Sequence, residues 1–66
     1  MGAPRVGIVG AGSITSLHVP FWLRLGWEVS VHALSGAEAL ADRHGLVVQP
    51  TLEGLLRSVD VVDVCT

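Results

Sequence analysis

Arg5-Val6-Gly7-Ile8-Val9-Gly10-Ala11-Gly12-Ser13-Ile14-Thr15 is the stretch whose reading decides the fold. Arg5 to Val9 is short and rich in valine and isoleucine, and Pro4 and the glycines bound it, so it reads as a buried strand. Gly7 inside that strand predicts the close approach of a neighbouring element. Gly10 permits a tight turn out of the strand. Gly12 carries no side chain, so a phosphate can reach the backbone, and the N–H groups of Ser13 and Ile14 then face it from a helix N-terminus. G-x-G by itself is a weak signal; a strand before it and a helix after it make it stronger.

The helix follows. Ile14, Leu17, His18, Phe21 and Leu25 recur at spacings of three and four, which predicts one inward helix face. Ser13 reads as an N-cap or first-turn residue. Pro20 falls inside the pattern and is expected to kink the helix or end its first segment. Gly26 is the stop. Trp27 to Ala33 reads as a second strand, with Glu28, Ser30 and His32 alternating with apolar residues. Ser35-Gly36 opens a second helix with Ala37, Leu40, Ala41 and His44 on one face, and Gly45 ends it. Leu46 to Val48 reads as a third strand. Thr51 caps a third helix, with Leu52, Leu55, Leu56 and Val59 inward and Glu53 placed favourably in its first turn. Val59 to Cys65 reads as a fourth strand.

Strands alternating with helices imply a parallel sheet with right-handed crossovers. The expected fold is α/β: a Rossmann-like, doubly wound parallel sheet of four strands in the order 3-2-1-4 with three helices, incomplete beyond the fourth strand. That strand is apolar and its outer edge would be unpaired. Residues 1–66 are therefore expected to be the N-terminal part of a dinucleotide-binding domain, a fragment of a longer protein. A length of 66 residues is below the roughly 100 to 200 of an ordinary domain, and such a chain alone should be marginally stable.

Composition narrows the partners. Half of the chain is hydrophobic and 15% is charged, which belongs in a packed globule. The net charge is −2, and the four basic residues Arg5, Arg24, Arg43 and Arg57 are widely spaced, so no nucleic acid is expected. No signal peptide and no membrane span of ~20 apolar residues are visible. Cys65 is the single cysteine, so a reducing, cytoplasmic setting is the default.

The second element of the dinucleotide fingerprint is missing. An acid about 20 residues on, at the end of strand two, normally binds the ribose 2′-hydroxyl. His32-Ala33-Leu34-Ser35 stands there, without a carboxylate, and Arg43 is too far along the next helix to hold a 2′-phosphate. Loss of the acid removes repulsion toward NADP, so the cofactor is NAD or NADP with a lean to NADP or dual use. Thr15 holds the place of the third glycine; the helix must then stand off slightly, or the hydroxyl must bond back into the helix turn.

With these residues in view, the chain resembles the N-terminal part of the glucose-fructose oxidoreductase / inositol dehydrogenase / rhizopine-catabolism (Gfo/Idh/MocA) family. The resemblance runs the whole length. It rests on Arg5 to Gly12, on Ile14 followed by His18, on Ala37-Glu38-Ala39-Leu40-Ala41 with His44-Gly45, on Thr51 to Leu56, and on Asp60-Val61-Val62-Asp63-Val64-Cys65-Thr66. It implies an NAD(P)-dependent oxidoreductase acting on a sugar, cyclitol or related polyol. It implies that Gly10, Ala11, Gly12, Ser13 and Ile14 bind the pyrophosphate, that Leu34 and Ser35 lie near the adenosine ribose, and that Cys65 and Thr66 border the dinucleotide. The small-molecule substrate and the catalytic lysine would belong to a part outside these residues, as would the surfaces of a homo-oligomer. No catalytic residue is assigned, and no metal ligand.

Other candidates have plainer readings. His18 reads as a core or helix-end histidine rather than a catalyst. His32 and His44 share no metal-ligand spacing with it. Trp22 and Trp27 read as packing partners at the end of the first helix. Asp60 and Asp63 are not a catalytic pair, because alternation sends them to opposite faces. Cys65 reads as a small buried residue, with no base identifiable near it. Two further functions stay open: a non-catalytic module that senses a dinucleotide, and another nucleotide user such as a methyltransferase, which the missing acid disfavours.

Overall fold

The computed structural model describes residues 2–65. Its elements follow in the order β1 (Arg5–Val9), α1 (Ser13–Arg24), β2 (Glu28–His32), α2 (Ala37–His44), β3 (Val47–Val48), α3 (Leu52–Ser58) and β4 (Val61–Val64). The strands form one sheet of order β3-β2-β1-β4, and every pairing is parallel. The chain is thus an α/β protein with a four-stranded parallel sheet and three helices.

Strand alternation sorts the helices onto two faces. Val6 and Ile8 of β1 and Val29 and Val31 of β2 are buried in one cluster with Val19 of α1 and with Ala37, Leu40 and Ala41 of α2. Gly7, between Val6 and Ile8, points the other way and meets α3. A Cβ built on Gly7 would lie 2.9 Å from Leu55 Cγ and 3.0 Å from Val59 Cγ2. The close approach expected at Gly7 is therefore present, and it is what lets Leu55 be completely buried.

Local signals place the ends of the elements. Gly26 and Gly45 have φ of 84° and 70°, so the chain leaves α1 and α2 through left-handed glycines. Thr51 Oγ1 accepts the N–H of Gly54 at 3.0 Å and caps α3. At the foot of the sheet, Asp60 Oδ2 accepts the N–H of Arg5 at 3.0 Å, and Asp60 N–H donates to the Arg5 carbonyl at 2.9 Å.

Four expectations are corrected. The inward residues of α1 are Thr15 and Val19, whereas Ile14, Leu17, Phe21 and Leu25 are exposed. The phase is set by the glycine turn: Thr15 Oγ1 lies 3.7 Å from where a Gly10 Cβ would be, so the third fingerprint position faces the sheet and Val19 follows one turn later. Of the two outcomes expected at Pro20, a kink or an end, the end is not seen, since the helix runs from Ser13 to Arg24. In α3, Leu55 alone is buried; Leu52 and Leu56 are exposed, and Val59 lies beyond the helix as its C-cap. β1 spans Arg5–Val9 as expected, whereas β2, β3 and β4 are shorter than expected, and β3 keeps only Val47 and Val48.

Candidate functional site

The sheet runs outward from β1 in both directions, to β2 and β3 on one side and to β4 on the other. Ligands of open parallel sheets bind where the strand order reverses, beyond the carboxyl ends of the strands. A crevice of about 630 Å³ lies there, lined by Val9, Gly10, Ala11 and Gly12 after β1, His32 to Ser35 after β2, Leu52 of α3, and Cys65 after β4. Two backbone bonds hold its mouth: Gly10 N–H to the His32 carbonyl at 2.8 Å and Cys65 N–H to the Val9 carbonyl at 2.9 Å.

The two glycines of the turn differ in what they do. Gly10 has φ of 114°, and a Cβ there would sit 2.4 Å from the Cys65 carbonyl oxygen. Both facts are internal to the fold. Gly12 has an ordinary φ of −85° as the N-cap of α1, and a Cβ there would meet nothing within 4 Å. Neither backbone strain nor packing against the protein calls for glycine at that position. The open space lies beside a helix start that no side chain caps and whose first turn carries no acid. The N–H groups of that turn lack intrahelical acceptors, and the helix dipole adds partial positive charge. Such a helix start favours an anion.

Of the residues expected at the site, Gly10, Ala11, Gly12, Leu34, Ser35 and Cys65 line the crevice together. Ser13 and Ile14 are the first residues of α1 and are exposed at its start, outside the lining. Thr66 lies outside the described residues. Leu34 is fully exposed. Sequence reasoning assigned no site role to four lining residues, Val9, His32, Ala33 and Leu52. Val9 was read as a strand residue and Leu52 as inward on α3, and His32 and Ala33 entered as the stretch where an acid is absent. His32 Nδ1 lies 2.9 Å from the Gln49 carbonyl oxygen. A carbonyl only accepts, so Nδ1 carries the proton. The pairing of β2 with β3 brings Gln49 there, which local sequence could not announce.

A second group of polar side chains sits between α1 and β4. His18 Nδ1 donates to Asp63 Oδ2 at 2.8 Å, and Trp22 Nε1–H donates to the same oxygen at 2.9 Å. Burial pushes the Asp63 carboxyl up, but the hydrogen bonds from Trp22 and His18 outweigh it and hold Asp63 below the usual aspartate range. Cys65 Sγ lies 3.4 Å from His18 Nδ1, so an imidazole is near the thiol where none was expected, but that nitrogen carries the proton it gives to Asp63 and is no base toward the sulfur. The thiol is nonetheless pushed up by its burial, with the Asp63 charge adding to the rise. It is therefore a poor nucleophile. His18, Asp63 and Cys65 offer ligand-type atoms within 4.8 Å of one another, which the sequence spacing did not suggest. Direct hydrogen bonds satisfy His18 and Asp63 as they stand, so the group reads as a tether of α1 to β4. Trp22 also packs on Trp27 with ring centroids 4.9 Å apart, as expected. The Thr15 hydroxyl is fully buried without a hydrogen bond, so it does not bond back into the helix.

Among the described residues, no helix is long and apolar enough to cross a membrane. No protein-family model, curated protein or solved structure matches this chain.

Proposed function

We propose that this chain is the nucleotide-binding portion of an NAD(P)-dependent oxidoreductase, with a Rossmann-like fold and a place in the cytoplasm. The observation that carries the reading is Gly12: a glycine that neither strain nor packing requires, at an uncapped helix start, on the rim of a crevice at the sheet's switch point. A bound pyrophosphate supplies the missing reason for glycine there, because its oxygens need the space that a side chain would fill. Gly10 shapes the turn, the N–H groups of Ser13 and Ile14 hold the phosphates, and Ala33, Leu34 and Ser35 flank the adenosine half. The crevice is within the ~300–1,000 Å³ of small-ligand sites.

The dinucleotide, when bound, is the hydride donor or acceptor. This chain's residues bind and orient it; no group in the crevice is assigned an acid or base role, and the chain has no lysine. The resemblance to the Gfo/Idh/MocA family supports a sugar, cyclitol or related polyol as substrate of the whole protein. Titration with NADH and NADPH, followed by nicotinamide fluorescence, tests the binding. Saturable binding by one of them is the expected result; no binding by either at millimolar concentration defeats the proposal.

A further inference from the structure

The adenosine end of the crevice lacks the carboxylate that usually takes the ribose 2′-hydroxyl, and no Asp or Glu lines it among the described residues. It does contain an imidazole with a known tautomer. The Nδ1–H of His32 is committed to the Gln49 carbonyl, and Gln49 is itself fixed by its N–H bond to the Val31 carbonyl at 2.9 Å. The ring is therefore anchored from one side, and Nε2 is the nitrogen left to meet a ligand.

We infer that His32 is the residue that selects between NAD and NADP, and that it does so by its protonation state. The inference rests on the dinucleotide reading proposed above. The neutral imidazole, with its proton held on Nδ1, presents a lone pair on Nε2. That lone pair accepts a hydrogen bond from a ribose 2′-hydroxyl and repels a 2′-phosphate, which is an acceptor. The protonated imidazole donates from both nitrogens: Nδ1–H to Gln49 as before, and Nε2–H to the 2′-phosphate as a charge-assisted bond. The two protonation states of His32 therefore prefer different dinucleotides.

The surroundings leave His32 to act alone. On β1 its neighbour is Val9, past β3 it is Gln49, and from α3 the apolar Leu52 lines the same crevice. Cys65 is the other titratable group of the lining, and burial keeps it a thiol. Glu53 of α3 is held by Arg57 at 2.7 Å, and Glu38 lies exposed in the first turn of α2. Arg43 and His44 occupy the opposite end of α2.

The test measures Kd for NADH and for NADPH from about pH 5.5 to 8.5, in the wild-type chain and in His32→Asn. Asparagine can still donate to the Gln49 carbonyl, so the anchor and the fold are retained, but it has neither Nε2 nor a charge to gain. The 2′-phosphate of free NADPH titrates near 6 whichever protein is present, so the difference between the two proteins isolates His32. In the wild type, the ratio of the NADPH to the NADH Kd should fall by about tenfold or more on acidification. In His32→Asn that extra fall should vanish, and NADH at high pH should bind about five- to tenfold more weakly than in the wild type. Circular dichroism of the variant confirms that it is folded; if it is not, His32→Gln replaces it, with the loss of the acid-dependent fall as the same readout. A wild-type ratio that tracks the variant at every pH overturns the role of His32 and leaves dinucleotide binding intact. A wild type that binds neither cofactor overturns both.

Discussion

Three glycines within six residues, Gly7, Gly10 and Gly12, are there for three physical reasons, and substitution separates them. Gly10→Ala forces a side chain into a φ of 114° and against the Cys65 carbonyl. It should destabilise the fold by more than about 1 kcal/mol, read from denaturant midpoints. Gly7→Ala drives a methyl into Leu55 and Val59 and should cost about 1–3 kcal/mol by overpacking. Gly12→Ala meets no protein atom. Its unfolding midpoint should stay within about 0.5 kcal/mol of the wild type, while NADH binding weakens at least tenfold. A Gly12→Ala protein that binds NADH normally would remove the observation on which the function was proposed. The pattern Gly-x-Gly was legible in the sequence, but the different duties of its members were not. That of Gly10 depends on Cys65, which is 55 positions away and reaches it only because β4 pairs with β1.

At the scale of elements, α1 shows how a pattern can be counted correctly and still be mis-phased. Its apolar residues occur all the way round, so the spacing of Ile14, Leu17, Phe21 and Leu25 described a real stripe that does not face the sheet. The glycine fingerprint carried the better signal, because its third position packs helix on strand, and Thr15 occupies that position with its side chain fully buried. The other link between α1 and the sheet is Asp63 with His18 and Trp22, and it responds to pH. The folded state holds Asp63 below its unfolded value, so its contribution to stability is complete above the usual carboxylate range and disappears as the pH falls through the lowered value. Asp63→Asn should flatten that part of the acid-side stability curve in urea titrations run from neutral to low pH. In α3, Thr51→Ala removes the bond to Gly54 N–H and should cost about 1 kcal/mol. That cap was readable from Pro50-Thr51 and Glu53, since the partners lie within one helical turn.

For the whole molecule, the small core makes ligand binding visible in stability. Among the described residues, ten buried hydrophobic residues form the core, and Leu17, Phe21, Leu34 and Val64 are among the large apolar residues left exposed. A dinucleotide at a hundred times its Kd adds about 2.7 kcal/mol to the folded state. For so short a chain each kcal/mol moves Tm by about 4–8 °C, so scanning calorimetry with saturating NADH should show a clear upward shift, absent in Gly12→Ala. The order of strands and helices, the turns at Gly26 and Gly45, and the parallel sheet were determined by the sequence itself, because hydrophobic periodicity and glycine conformation act over a few residues. The phase of α1, the meeting of His18 with Asp63 and Cys65, and the anchoring of His32 by Gln49 were decided only by the tertiary structure. Each of these joins residues that are distant along the chain, and a parallel sheet sets such pairings through crossovers whose register no local pattern records.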